Sequence, residues 1–510
     1  MMILRYGFVF SLSLLYSLCT FSQELQISQV EKTRGSVNNV VVIDTNSFVL
    51  ITTEFQGIRT YQALRSYSET TFTGTQRLPD QYNGKDISYK SFEVLNDTLS
   101  GFFCVTNTET FDYYLQQYDS LCFAVNDPKF IISIPRFSNK NWENGNVLIS
   151  PDKSTYLIYC TFADEVLNKE SFYYAGFSVA GHKSIYENEI QGMKLAPDVS
   201  FEDVWLMNNG KVLVSEYVFF EKLINERKSN RRMEAVRLHV STPHSKSPRI
   251  ITLVPPNEEY LTHVECVVSD NSVSGTGVYC IENDHFNGLF SFFVTDTVSS
   301  ETVVKLLPRL ESIELSGLDL RFSNRHEYPA QSKKYVCNDM KLLDISAHGD
   351  STVYVWERIA TMVHHDVRSY LSTDLLIEKV YKDSILYCKV IPKSTVSEFE
   401  EGKNVRACVR RPNDNEVIIY FNDYIDLYNS AGEYLAESPK LKRNRIIKPP
   451  LGVVELRYHL TDNTYQRNML FDNTVFEVAA TPVLWRTIDA NQILLQFATH
   501  GKFRFAYWKY

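Results

Sequence analysis

After residue 22 the chain never runs about eighteen apolar residues in a row, so nothing beyond that point reads as a membrane-spanning helix. No C-x-x-C pair occurs, which removes a zinc ribbon or a thioredoxin-type redox site. G-x-S-x-G, P-loop and H-E-x-x-H patterns are absent too. A nucleophile-elbow hydrolase, a P-loop nucleotide enzyme and a zincin therefore have no support. Helical 3.6-residue periodicity is scarce. Basic residues are in deficit, at 52 Lys and Arg against 61 Asp and Glu, for a net charge of −9. Such a chain has no global pull towards nucleic acid.

What is present begins with an apolar stretch from Phe8 to Leu18 behind a single cation, Arg5. Thr20-Phe21-Ser22 then supplies small residues at the −3 and −1 positions of a cleavage site. This pattern predicts a secretory signal peptide over 1–22, cut between Ser22 and Gln23, and a protein that is secreted, periplasmic or on the cell surface. Leu18 before Cys19 disfavours a lipoprotein anchor. Cleavage takes Arg5 and no acid, so the mature charge is 51 minus 61, or −10. Of nine cysteines Cys19 leaves with the leader, and eight remain. Many lie inside apolar runs, as in Tyr156-Leu157-Ile158-Tyr159-Cys160, where buried thiols sit. One pair, Cys266 and Cys280, is a disulfide candidate: a hairpin of Val264–Ser269 with Gly277–Glu282 sets them opposite each other, and an exported compartment permits the bond. Two buried thiols are the equal alternative.

Tyr and Phe number 31 each. They join short β-branched runs such as Val40-Val41-Val42-Ile43, Val212-Leu213-Val214, Thr352-Val353-Tyr354-Val355-Trp356 and Val417-Ile418-Ile419-Tyr420. Each run is bounded by Asn, Asp, Gly or Ser, the punctuation of strands and turns. Consecutive apolar residues imply strands covered on both faces. A hairpin pattern recurs, clearest in Ser150-Pro151-Asp152-Lys153-Ser154-Thr155-Tyr156-Leu157-Ile158-Tyr159. Looser copies turn near Asp44-Thr45-Asn46, Asn96-Asp97, Asn208-Asn209-Gly210, Asp270-Asn271, Gly349-Asp350, Asn413-Asp414-Asn415 and Asp489-Ala490-Asn491. The spacing is mostly about 50–80 residues, at or somewhat beyond the upper end of repeat periods for propeller blades. Four strands can be read in the third copy: Asn146–Ser150, Thr155–Phe162, Phe172–Val179 and Ser184–Asn188. The sixth gives Leu342–Ala347, Thr352–Glu357, Tyr370–Val380 and Ile385–Ile391.

The Ser150-Pro151-Asp152 turn before Tyr156-Leu157-Ile158-Tyr159 resembles the first hairpin of a blade in secreted bacterial TolB-like and WD40-like propellers, without the glycine expected after it. The resemblance implies an all-β propeller of about eight four-stranded blades, with seven and nine left open, the ninth by a hairpin within Arg445–Leu460. It further implies one domain over 23–510, with inserts near 308–340 and 440–482. Val483–Ile488, Ile493–Ala498 and Lys502–Tyr510 read as the first three strands of a last blade with no fourth. Leu25–Val30 is an alternating strand without a partner, and placing it beside the last strand closes the ring and removes exposed edges. An outer-membrane barrel and an array of sandwiches are the other all-β options. The doubly apolar strands argue against the barrel, whose lumen face is polar.

The same resemblance gathers the second-to-third-strand loops and the connections between blades on one face, where propellers usually bind. The fourth such loop carries Lys222, Arg227, Lys228, Arg231 and Arg232; the sixth carries His364, His365, Asp366 and Arg368. The connection before the sixth blade holds Arg321, Arg325, His326, Lys333 and Lys334, and the connection after the seventh holds Lys442, Arg443, Arg445 and Lys448. Clustered cations raise the local concentration of anions. The expectation is a binding or scaffold module for an anionic glycan or an acidic protein segment. The plain alternative is a set of solvated loops. No cofactor is expected. No metal is expected either, because His364 and His365 in an extended loop point apart and no third ligand stands at a recognisable spacing. A hydrolase or lyase acting on polysaccharide at the central channel is the other function carried forward, since two carboxylates from distant positions suffice for glycoside chemistry. The sequence assigns no catalytic residue.

Overall fold

The computed structural model describes residues 24–509 apart from short gaps and five longer ones, 221–232, 312–339, 398–405, 436–450 and 473–479. The first 23 residues, and with them the expected leader, lie outside the described set. What is described is an all-β chain with two single turns of 3-10 helix, Ile425–Leu427 and Pro482–Leu484.

The strands fall into eight consecutive antiparallel units. Ser36–Val42, Ser47–Gln56, Arg59–Ser68 and Thr71–Arg77 form the first. Lys85–Leu95, Thr98–Thr106, Thr110–Tyr118 and Lys129–Pro135 form the second. The third is Asn146–Ile149, Thr155–Asp164, Lys169–Ser178 and Ser184–Leu195. Val199–Leu206, Val212–Phe219, Met233–Ser241 and Arg249–Val254 make the fourth. The fifth comprises Tyr260–Val268, Ser272–Ile281, His285–Thr295 and Leu307–Glu311. Met340–His348, Ser351–His364, Val367–Tyr381 and Ser384–Ser397 make the sixth. The seventh is Cys408–Asn413, Glu416–Tyr424, Leu451–His459 and Thr464–Asp472. Arg486–Asp489, Gln492–Thr499 and Lys502–Lys509 begin the eighth, and its fourth strand comes from the other end of the chain: Glu24–Ile27 pairs antiparallel with Ala506–Lys509.

The hairpins follow from local chemistry. Asn96 and Asp97 both take positive φ, 47° and 58°, between the paired Leu95 and Thr98. That is the geometry whose twist matches a two-residue hairpin. In the third unit Pro151 starts the turn, and Asp152 Oδ1 accepts from Ser150 Oγ at 2.7 Å and Ser154 N at 3.0 Å. Lys153 takes φ 58° where a glycine would sit more easily. Asp152 N donates to Asn208 Oδ1 at 2.9 Å, so the first turns of units three and four are neighbours.

Second strands are buried on both faces, as in Val212–Phe219 and Glu416–Tyr424. They feed clusters that join successive units. Phe102 and Tyr113 meet Tyr156 and Ile158 between units two and three, and Val353 and Ile377 meet Val417 and Val454 between six and seven. Units seven and eight share Ile418, Tyr420, Leu495 and Phe497. The eighth in turn packs on the first, where Phe48, Leu50 and Tyr67 meet Phe503, Phe505 and Tyr507. Apolar burial at roughly 25 cal/mol per Å² makes these interfaces the main stabilising contribution.

Three details depart from expectation. Residues 440–482 are not wholly an insert, because Leu451–His459 and Thr464–Asp472 are ordinary members of unit seven, and no extra hairpin appears there among the described residues. Pro482–Leu484 is a helical turn, so the strand expected from Val483 starts at Arg486. Between the third and fourth strands of unit five, the chain detours to lay Glu301–Lys305 parallel along Arg249–Val254. This covers the outer edge of unit four, while a separate pairing of Met233 with Leu261 joins units four and five into one sheet.

Candidate functional site

Most of the expected basic residues fall outside the described residues: Arg227, Lys228, Arg231, Arg232, Arg443, Arg445 and His365. The strands around them still locate their segments. Phe219 and Met233 flank 220–232, which is the second-to-third-strand connection of unit four. The segment with Lys442 and Arg443 lies between Tyr424 and Leu451, within unit seven rather than after it. In unit six, His364 pairs with Val367 and Arg368 with Val363. Those two residues therefore end a long paired hairpin where a wider loop was expected. All three segments lie at the same end of their units. At that end two phenylalanines are exposed: Phe55, at 50%, closes the second strand of unit one, and Phe220, at 46%, leads into 221–232. Close by, Arg77 lies over the Tyr61 ring at 4.6 Å.

The Cys266–Cys280 bridge is not formed. Val268 pairs with Val273 across a short turn, which sets Cys266 opposite Gly275. A bulge at Leu261/His263 then brings Cys280 opposite Tyr260. Cys266 is a buried free thiol, and burial pushes its titration well up.

First strands of neighbouring units lie side by side from unit eight through one, two and three to four, and from five through six to seven. They bring half-buried charges together. Asp344 of unit six accepts from Arg411 Nε of unit seven at 2.5 Å. Asp203, in a bulge of unit four, accepts from Tyr217 Oη at 2.7 Å. The first strand of unit seven and the two residues before it are rich in arginine, reading Arg406-Ala407-Cys408-Val409-Arg410-Arg411. Val409 and Arg411 face unit six; Cys408 joins the cluster shared with unit eight. Arg410 alternates with Arg411 and shares the Cys408 face. On unit eight, Arg486 donates from Nη1 to Trp485 O at 2.9 Å and from Nη2 to Asn39 Oδ1 of unit one at 3.0 Å.

Between units six and seven sits a second set of charges, fully enclosed. Glu357 Oε1 accepts from Lys393 Nζ and from Ser372 Oγ at 2.8 Å, and Ala407 N approaches its two oxygens at 3.1 and 3.2 Å. Asp423 Oδ2 accepts from Arg467 Nη2 and from Tyr428 Oη at 2.9 Å. The Phe421 ring lies between the two cations, 5.3 Å from Lys393 Nζ and 5.1 Å from the Arg467 guanidinium. Burial pulls the Lys393 ammonium down against the attraction of Glu357, and burial pushes the Asp423 carboxyl up against Arg467. In unit four, Glu216 takes His239 Nε2 at 2.7 Å and Arg237 Nη1 at 3.3 Å. Such groups resemble acid–base machinery in kind. Here they are spent on one another across strands. Sequence reasoning passed over all of them. The available signal was an acid closing an apolar run, as in Val355-Trp356-Glu357 and Tyr420-Phe421-Asn422-Asp423. Among the described residues no group of three metal-ligating side chains comes together, and no helix is long and apolar enough to cross a membrane.

No protein-family model matches the chain, and no curated protein matches it. Solved structures do. The β-propeller domain of the trilobed protease from Pyrococcus furiosus is 10% identical over 85% of this chain and 98% of that one, with a TM-score of 0.35. The polysaccharide lyase Uly1 is 9% identical over 77% and 86%, at 0.38. An oligogalacturonate lyase in complex with manganese is 10% identical over 94% and 98%, at 0.34. These are loose likenesses.

Proposed function

We propose that the eight units close into one ring, as the blades of a propeller, and that the ring is an exported binding module for an acidic saccharide. Support for the ring comes from the packing of unit eight on unit one and from the pairing of Glu24–Ile27 with Ala506–Lys509. The observation that carries the binding reading is the exposure of Phe55 and Phe220 at the end where the basic segments emerge. Flat apolar rings beside guanidinium groups match a sugar face bearing carboxylates. The enclosed ionic groups between units six and seven are used in fastening one unit to the next, which favours a binder over a hydrolase or lyase.

Retention on immobilised acidic glycans tests this. Arg227, Arg231, Arg443 and Arg445 all changed to Glu should abolish retention while the fold survives. Unchanged retention would sink the reading. Release of reducing ends or unsaturated products from the same glycans would replace it with the enzymatic one.

A further inference from the structure

An outer strand that is covered in one unit is bare in another. Unit four ends on Arg249-Ile250-Ile251-Thr252-Leu253-Val254, and unit two ends on Lys129-Phe130-Ile131-Ile132-Ser133-Ile134-Pro135. Ile131-Ile132-Ser133-Ile134 matches Ile250-Ile251-Thr252-Leu253 in kind at every place. The registers agree: Leu253 pairs with Val236 and Ile251 with Leu238, as Ile134 pairs with Phe111 and Ile132 with Tyr113. Unit two differs by a bulge at Ile131. On unit four the edge is filled by Glu301–Lys305, running parallel with Glu301 opposite Ile250 and Val304 opposite Leu253. On unit two, among the described residues, no strand pairs beyond Lys129–Pro135. An open row of backbone donors and acceptors is a template for a further strand. Charges guard such rows elsewhere, with Glu187 and Glu189 on the outer strand of unit three and Lys389 on that of unit six. Between Lys129 and Pro135 unit two has no charge, and Phe130 is 51% exposed.

A loop built to hold apolar side chains in water extends this edge. Asp119 Oδ1 accepts from Leu121 N at 2.9 Å and from Phe123 N at 2.8 Å. Cys122 takes φ 68° and is buried, whereas Leu121, Phe123 and Val125 are exposed. Ala124 bridges Tyr118, and Val125 N donates to Gln117 O at 3.0 Å. The loop thus pairs with the third strand as Lys129–Pro135 does, and continues the same outer row. A lipid surface would cover these side chains and leave the backbone row unmet; an extended peptide answers both. The seven-residue edge is about 24 Å long. That suits a peptide better than the roughly 1,200 Å² a stable pair of whole proteins buries. Lys129, whose Nζ donates to Gly181 O at 3.3 Å, sets a cation at the leading end, as Arg249 does on unit four. The strand seated on unit four begins with an acid and continues with β-branched residues, Glu301-Thr302-Val303-Val304.

We propose that the outer edge of unit two takes an extended segment of another protein, parallel to Ile131–Ile134, with an acid at the Lys129 end and β-branched residues after it. Backbone pairing supplies the hold, and alternate apolar side chains cover Phe130 and the loop beside it. The site does not involve the saccharide and stands or falls without it.

The probe is a fluorescent peptide with the sequence of Ser299–Leu307 and a photo-cross-linker at the Val303 position, titrated into the whole protein and read by anisotropy. Saturable binding with cross-links in 129–135 is expected. Phe130→Lys with Ser133→Lys, both on exposed positions, should weaken it at least about tenfold and leave the melting temperature in place. Lys129→Glu should weaken the same peptide and favour one carrying Glu301→Lys. Absence of saturable binding, cross-links confined to 249–254, or a double-lysine variant that binds as the parent does overturns the proposal. So does self-association of the parent that the double-lysine variant abolishes, which puts a second copy on the edge. Capture by anionic vesicles that Phe123→Ser abolishes, with no peptide bound, puts a lipid surface there instead.

Discussion

Lys393→Met is the sharpest perturbation the enclosed charges offer. Lys393 and Glu357 are each 0% exposed, so water cannot replace either partner. Without the ammonium, Glu357 keeps Ser372 Oγ and Ala407 N as donors but no counter-charge. Its carboxylate is then a buried charge without its partner. Breaking a buried pair by removing one partner costs roughly 3–5 kcal/mol. The expected loss is therefore about 3 kcal/mol, since two donors remain. Glu357→Gln added to Lys393→Met should return most of it. The amide oxygen still accepts from Ser372 and Ala407, and buried pairs exchanged whole for neutral groups are often near neutral. Urea unfolding followed by fluorescence and by circular dichroism reads the midpoints. A parent-like midpoint for Lys393→Met, or a double variant as weak as the sum of the singles, refutes the reasoning.

Other outcomes follow from local geometry. A Cβ on Gly275 would lie 2.5 Å from the Phe292 ring and 2.6 Å from Glu265 O; Gly275→Ala should therefore cost about 1–3 kcal/mol by overpacking, read as a lowered melting temperature. Asp152→Ala removes the oxygen that organises the Ser150 turn and should cost about 0.5–1 kcal/mol at neutral pH. Hydrogen bonding from Ser150 and Ser154 holds the Asp152 carboxyl below its usual range. The contribution is then full above about pH 4 and fades as pH falls through the folded value, so the gap between parent and Asp152→Ala should close in acid; a gap that widens there contradicts it. Thr302→Pro should break the parallel ladder on Arg249–Val254 and expose an edge, which light scattering would report as association.

The four strands of the third unit were legible in number, order and most starting points, because Tyr156-Leu157-Ile158-Tyr159 and Phe172-Tyr173-Tyr174 are apolar runs closed by strong turn residues; the fourth runs on to Leu195, past the expected Asn188. Leu25–Val30 was legible as a strand seeking the last strand, and Glu24–Ile27 does pair there. Register was harder. The short turn before Val273 set Cys266 five residues from its expected partner, the bulge at Leu261/His263 shifted Cys280 by one more, and periodicity carries no mark of a bulge. The detour through Glu301–Lys305 was hidden for a related reason: β propensity says that a segment will extend, not which edge it joins. The enclosed charges were missed because each partner sits tens of residues away, as Glu357 from Lys393 and Asp423 from Arg467.

Ser28 and Arg504 touch across a sequence separation of 476 residues. During synthesis, the eighth unit thus waits for nearly the whole chain, while its first partner strand has been out of the ribosome since the start. Closing so long a loop costs only logarithmically more free energy than closing a short one, but it delays the final contact and leaves apolar Phe48, Leu50 and Tyr67 of unit one uncovered meanwhile. A sheet whose partners lie so far apart in sequence is most exposed just before Lys502–Lys509 is made.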